Sequence, residues 1–157
     1  MASPLAQRFL RAVRETVGTP WHDQGRLVGV GLDCWGVVVY GLSKAGLYAP
    51  DASTAYRRAD RWSLLRPALE ERCERVGPGG SWAGVASGDL AIWTFGRLPH
   101  VAVVAALDDA SESHLLVHTL IASGAVVEAP SPSDWGPPQE IWRLKPHSAD
   151  ASECPAS

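Results

Sequence analysis

Cys34 stands directly after Asp33, where a glycine-punctuated stretch from Gly18 gives way to an apolar segment that ends at Gly46. A thiol at that junction falls in the first turn of a helix, where free amide protons and the helix dipole favour negative charge. Both lower a cysteine pKa from about 8.5 towards neutrality. A downward shift of ~2 units corresponds to roughly 2.7 kcal/mol in favour of the reactive thiolate. Such a nucleophile needs a base within hydrogen-bond reach and a third group that orients the base. The candidate bases are His22, His100, His114, His118 and His147.

Of these, His100 follows Pro99 and opens an apolar run, His100–Leu107, so its ring can project from the end of a strand. His118 lies in the next run, His114–Ile121. On adjacent antiparallel strands two residues share a face only if the register has the right parity. A ladder that sets His100 directly opposite His118 closes a three-residue turn at Asp108-Asp109-Ala110 and pairs Leu107 with Ser111. The two rings then lie about 4.5–5.5 Å apart at Cβ. A register of the other parity puts them on opposite faces. Each residue alone also has a plain structural reading: Cys34 as a small buried hydrophobe, Asp33 as a helix N-cap, the histidines as strand residues.

The elements that must position these groups follow from periodicity. Ser3-Pro4 reads as N-cap and first turn of a helix whose apolar face is Leu5, Phe9, Leu10, Val13 and Val17, and Gly18 stops it. Gly18 to Asp33 reads as loop. Cys34 to Gly46 reads as a buried helix, although Val37-Val38-Val39 by itself favours a strand. Tyr48 to Val76 reads as one or two amphipathic helices, with Pro67 in a first turn or at a kink and Cys73 on a helix face. Gly77-Pro78-Gly79-Gly80 breaks the chain. From Asp89 the period changes to two. Asp89–Phe95, His100–Leu107, His114–Ile121, Ala125–Ala129 and Glu140–Leu144 read as five strands of an antiparallel meander, with His100–Leu107 central. Helices first and strands afterwards give an α+β layer fold.

Bulk properties narrow the function classes. The chain has 157 residues, 46% of them apolar and 20% charged, and a formal charge of -3. That charge offers no electrostatic reason for nucleic acid or a membrane surface as partner. No stretch is apolar and long enough to span a bilayer. Three cysteines, Cys34, Cys73 and Cys154, lack metal-ligand spacing, and an odd scattered set fits a reducing compartment. The arginine-bearing N-terminus does not read as a secretory signal, which implies synthesis in the cytoplasm and, if the protein leaves the cell, another route out.

Four segments in order carry a family resemblance. Gly18-Thr19-Pro20-Trp21 and Asp33-Cys34-Trp35-Gly36 resemble the Gly-Thr-Pro-Tyr entry and Asp-Cys-Ser-Gly nucleophile turn of the NlpC family of papain-like cysteine peptidases. Gly88-Asp89-Leu90 is similar to the family's Gly-Asp-Leu strand opening. His100-Val101-Ala102-Val103-Val104 is similar to its His-Val-Gly-Ile strand. Val117-His118-Thr119, followed by Val126-Val127-Glu128, resembles the segment with the third polar residue.

The resemblance implies a papain-like (NlpC type) α+β fold, with N-terminal helices packed on a five-stranded, mainly antiparallel sheet. It spans a single domain over residues 1–145, followed by a flexible tail, 146–157. It implies Cys34 as nucleophile, His100 as base and His118 as the orienting residue. His114 is the alternative third residue, since it shares a strand face with His118. Trp21, Asp33 and Trp35 fall on the substrate-binding side, with Trp21 in place of the usual tyrosine and Trp35 in place of a common serine. No metal or cofactor is implied.

The implied reaction is hydrolysis of a peptidoglycan stem-peptide amide, at the γ-D-glutamyl–diaminopimelate bond. His22-Asp23-Gln24-Gly25 and Gly29-Val30-Gly31-Leu32 are similar to a subgroup carried by tailed phages and gene transfer agents. That similarity implies tail-tip or baseplate hub proteins as partners, and a virion that carries the enzyme to the cell wall. Two other readings keep the same residues: an acyl-transfer or thioesterase member of the superfamily, and a structural tail-tip plug or adaptor.

Overall fold

A computed structural model describes residues 2–47 and 61–146. The stretch from Tyr48 to Asp60, part of the helical reading above, and the tail from His147 lie outside the described residues. Helix α1 (Pro4–Arg14) starts at the Ser3 N-cap, whose side chain accepts from the Ala6 amide. Helix α2 (Cys34–Lys44) is helical despite its three valines. Both ends of α2 are closed: Asp33 caps the start, and Gly46, at φ +86°, turns the chain at the finish. There the Leu47 and Gly46 amides return to the Leu42 and Ser43 carbonyls, which satisfies carbonyls the helix leaves open. The valines Val37 and Val38 are buried, so packing decides the conformation over the strand preference of their branched side chains.

Strands β1 (Arg26–Leu27) and β2 (Gly31–Leu32) form a small hairpin within the stretch read as loop. Helix α3 (Arg61–Arg72) carries Pro67 in its interior rather than in its first turn. Where the sequence reads as helix to Val76, the chain switches directly to strand β3 (Cys73–Arg75). The cause is tertiary: the strand β8 (Glu140–Leu144) has an open edge, and Cys73, Glu74 and Arg75 pair with Leu144, Arg143 and Trp142. Glu140 fixes the arrangement by accepting from both Arg66 and Arg75.

Among the described residues the main sheet therefore has six strands, not the expected five. Its order is β3-β8-β4-β5-β6-β7, where β4 is Leu90–Phe95, β5 is Leu98–Ala106, β6 is Leu115–His118 and β7 is Val127–Pro130. The expected meander holds from β4 to β7, with β5 central. The chain then crosses back, and β8 pairs with β4 instead of β7. Helices α1 and α2 pack on one face through Phe9, Val13, Val37 and Val38 with Val101, Val103 and Val117. The other face is covered by loops that carry Trp82 and Trp135.

One ion pair with a buried carboxylate and one glycine contact tie this frame together. Asp89, 1% exposed, takes a two-pronged bond from Arg143 at 2.9 and 2.8 Å and also accepts from the Ala86 amide. It joins the opening of β4 to β8. At α2, a Cβ on Gly36 would collide with the Gly25 carbonyl, so the loop before β1 lies directly on the first turn of the helix. Gly36→Ala is expected to destabilise the fold by about 1–3 kcal/mol through that overlap. The midpoint of urea denaturation reads the effect, and an unchanged midpoint would show that the loop yields freely.

Candidate active site

The junction that carries Cys34 is organised by Asp33, which is completely buried. Its Oδ1 accepts from the Gly36 amide at 2.7 Å and from Arg26 Nη1 at 2.9 Å, while Oδ2 accepts from the Gln24 amide at 3.1 Å. One carboxylate thus caps α2, pairs with a cation on β1 and holds the loop between them. Asp33, placed on the substrate side by the resemblance, is engaged by these internal partners and fixes the place of the neighbouring thiol. Trp35, assigned to the substrate side by the resemblance, packs into the helix-side core at 6% exposure.

His100 and His118 meet. His100 Nε2 lies 3.0 Å from His118 Nδ1, with the ring planes at 68°. The register that delivers them differs from the expected one. β5 pairs with β6 as Val103 to Val117 and Val104 to Leu116, two positions away from a direct opposition of the two histidines. Parity is preserved, so the rings share a face and meet on the diagonal, which lies within reach of long side chains. The expected turn at Asp108-Asp109-Ala110 is replaced by a longer connection. β5 ends at Ala106, after a bulge between Val104 and Ala106, and β6 begins only at Leu115. Asp108 organises that connection by accepting from the Ser111 hydroxyl at 2.6 Å.

His114, the alternative third residue, goes elsewhere. It is 2% exposed, its Nδ1 accepts from the Asp108 amide at 2.9 Å, and its ring stands edge-on to Trp82. His22 is exposed, and its Nδ1 contacts the Asp23 carbonyl. Cys73 is buried on β3, and burial pushes its thiol up to about 12, so it is no nucleophile at neutral pH.

Cys34 and His100 both line a cavity of about 90 Å³, together with Trp21, Phe95, Pro99 and Thr119. The cavity sits where β4 turns into β5 and β6 ends. Cys34 belongs to the helix-side core, while the residues paired with or alternating from His100 face the aromatic side. The two groups therefore share the space at the end of the sheet. Trp21 is held there by its backbone amide, which donates to the Gly124 carbonyl at 2.9 Å, and by a bridge to Leu32.

Two contributors escape a sequence reading. Thr119, 1% exposed, carries a buried hydroxyl without a hydrogen-bond partner at this cavity. Trp135, one of seven tryptophans with no distinguishing local pattern, packs against both histidine rings at 5.3 Å. The pattern Val-His-Thr points to residue 119 only once the histidine before it is known to face the site. Among the described residues no cluster of three or more His, Cys, Asp or Glu could hold a metal ion. No helix among them is long and apolar enough to cross a membrane.

Burial lowers the His118 pKa from 6.5 to about 4. His118 is thus neutral at physiological pH, and its Nδ1 can accept a proton donated by His100 Nε2. Because the folded-state pKa is the lower one, the unfolded chain binds the proton first as pH falls. Folding stability is expected to drop by about 3 kcal/mol between pH 6.5 and 4, with the loss complete below both values. Chemical denaturation across that range measures it. A His118→Asn variant should show a correspondingly flatter profile, and equal slopes for both proteins would contradict the assignment.

No family model matches the chain, and neither does any curated protein. Among solved structures, the chain is similar to the peptidoglycan hydrolase RipB from Mycobacterium tuberculosis, with a TM-score of 0.60 at 19% identity. The match covers 91% of this chain and 66% of the RipB chain, so this chain spans a little under two thirds of that one. At this identity the likeness fixes the fold: helices packed on a mainly antiparallel sheet, in the arrangement of RipB.

Proposed function

We propose that the protein is a cysteine peptidase that hydrolyses stem-peptide amide bonds of peptidoglycan, as an NlpC-type enzyme. The observation that carries this reading is the imidazole pair, His100 Nε2 to His118 Nδ1 at 3.0 Å, bordering the cavity that Cys34 also lines. The shared fold with a peptidoglycan hydrolase supports the substrate class.

In this mechanism His100 donates its Nε2 proton to the hydrogen bond with His118, which leaves Nδ1 as the basic nitrogen. Nδ1 takes the Cys34 proton, and the thiolate attacks the amide carbonyl. The Cys34 amide, in the first turn of α2, donates to the developing oxyanion. Collapse breaks the C–N bond, and the leaving amine takes the proton from His100. Water then attacks the thioester, with His100 accepting its proton, and the thiol departs. His118 stays neutral throughout and holds the imidazolium by accepting from it. The thiol sits opposite the γ-D-glutamyl–diaminopimelate carbonyl in this reading.

The setting proposed for this enzyme is a phage or gene-transfer-agent tail tip. It rests on the segments His22–Gly25 and Gly29–Leu32. The hairpin they bracket exposes Leu27 and Val30 by 65% and 69%, a surface suited to burial by a hub protein. Loss of virion incorporation in a Leu27→Asp, Val30→Asp variant is the expected result, and normal incorporation would argue against that surface. A second reading is acyl transfer or thioester hydrolysis. The apolar rim of the cavity, where Phe95, Leu98 and Ile121 are partly exposed, favours it.

Digestion of purified sacculi, followed by separation of released muropeptides, distinguishes these readings. Cys34→Ala and His100→Ala are each expected to lower release by about 10³-fold or more with the fold intact. His118→Ala should cost less, since His118 orients and does not react. Full release by either of the first two variants would eliminate the mechanism. Turnover of short acyl esters, without release from sacculi, would favour the acyl-transfer reading.

A further inference from the structure

Trp135 stands on a one-turn 3-10 helix, Ser133–Trp135, in the connection between β7 and β8. Nothing in its local sequence marks it, yet its ring meets four others. It lies 5.3 Å from His100 at 78° and 5.3 Å from His118 at 84°. It lies 5.2 Å from Trp93 and 5.1 Å from Phe95. The turn is anchored from below, because Trp93 Nε1 donates to the Gly136 carbonyl at 3.2 Å. The indole therefore covers the two hydrogen-bonded imidazoles together, on the face of the sheet away from the helices.

An N–H···N bond between two imidazoles competes with water when exposed and strengthens when water is excluded. From this geometry we infer that Trp135 is a positioning residue, a lid that seals the His100–His118 bond from solvent and so keeps His118 a neutral acceptor. Trp135 does not itself line the thiol cavity and meets it only from behind, through the rings of His100 and Phe95. The depressed basicity of the largely buried His118 agrees with such a seal. The other titratable groups nearby are Cys34, across the cavity on α2, and Asp134, exposed on the same turn as Trp135. The inference rests on the proposed pairing of His100 and His118 as a relay.

Two readouts test it without any peptidoglycan: NMR titration of the His118 ring, and the rate of Cys34 alkylation by iodoacetamide against pH. In Trp135→Ala the His118 midpoint is expected to rise from about 4 towards 6.5, and alkylation at pH 7 to slow by about tenfold. Trp135→Phe should restore most of both. If circular dichroism shows that the alanine variant is unfolded, Trp135→Gln keeps the bulk, admits water and gives the same comparison. An unshifted His118 midpoint with unchanged alkylation in a folded variant would overturn the inference, as would a phenylalanine variant as impaired as the alanine one. Should sacculi resist the wild-type protein while these shifts appear, the hydrolase reading fails and the seal stands.

Discussion

One fully buried carboxylate governs the position of the thiol. Asp33 carries a charge that is costly to bury unless every lone pair is met. The Gly36 amide, the Gln24 amide and the Arg26 guanidinium meet it. Those partners come from the helix, the preceding loop and the small hairpin, so satisfying the charge requires all three to sit in one arrangement. The close approach of Gly25 to Gly36 is the steric side of the same requirement. The cysteine next in sequence inherits a fixed place in the first turn of α2, where partial positive charge accumulates.

The histidine pair obeys a different constraint, burial of both rings. Two imidazoles share one hydrogen bond most readily when one of them is neutral, and burial of His118 at the end of β6 favours its neutral form. The sheet is stiff there because β5 is paired on both sides and buried on both faces. The same burial that destabilises the chain in acid leaves the His118 ring neutral beside His100.

Away from the cavity, charges clamp the strands at the opposite end of the order. Asp89 and Arg143 join β4 to β8, and Glu140 draws Arg66 of α3 and Arg75 of β3 to the same strand. The pair at Asp89 is buried on the carboxylate side and partly open on the arginine side, which suits alignment of strands better than raw stabilisation. The Gly88-Asp89-Leu90 segment therefore serves the frame that aligns β4 with β5, and through it the position of His100 opposite Trp93.

The local features were legible in the amino-acid order alone. Ser3-Pro4 and Asp33 announce helix starts because capping uses the residue's own side chain, and the period of two from Asp89 announces strands. The parity that puts His100 and His118 on one face was legible for the same reason. The actual register was not, because a bulge after Val104 and the Asp108 turn depend on hydrogen bonds formed only in the folded chain. Strands of two or three residues, at Arg26–Leu27 and Cys73–Arg75, carry no period, so only their partners make them strands. The choice of His118 over His114, and of one tryptophan among seven to cover the pair, was likewise tertiary. A side chain's type sets what chemistry it can do. Which groups it meets is decided by contacts between residues far apart in the chain.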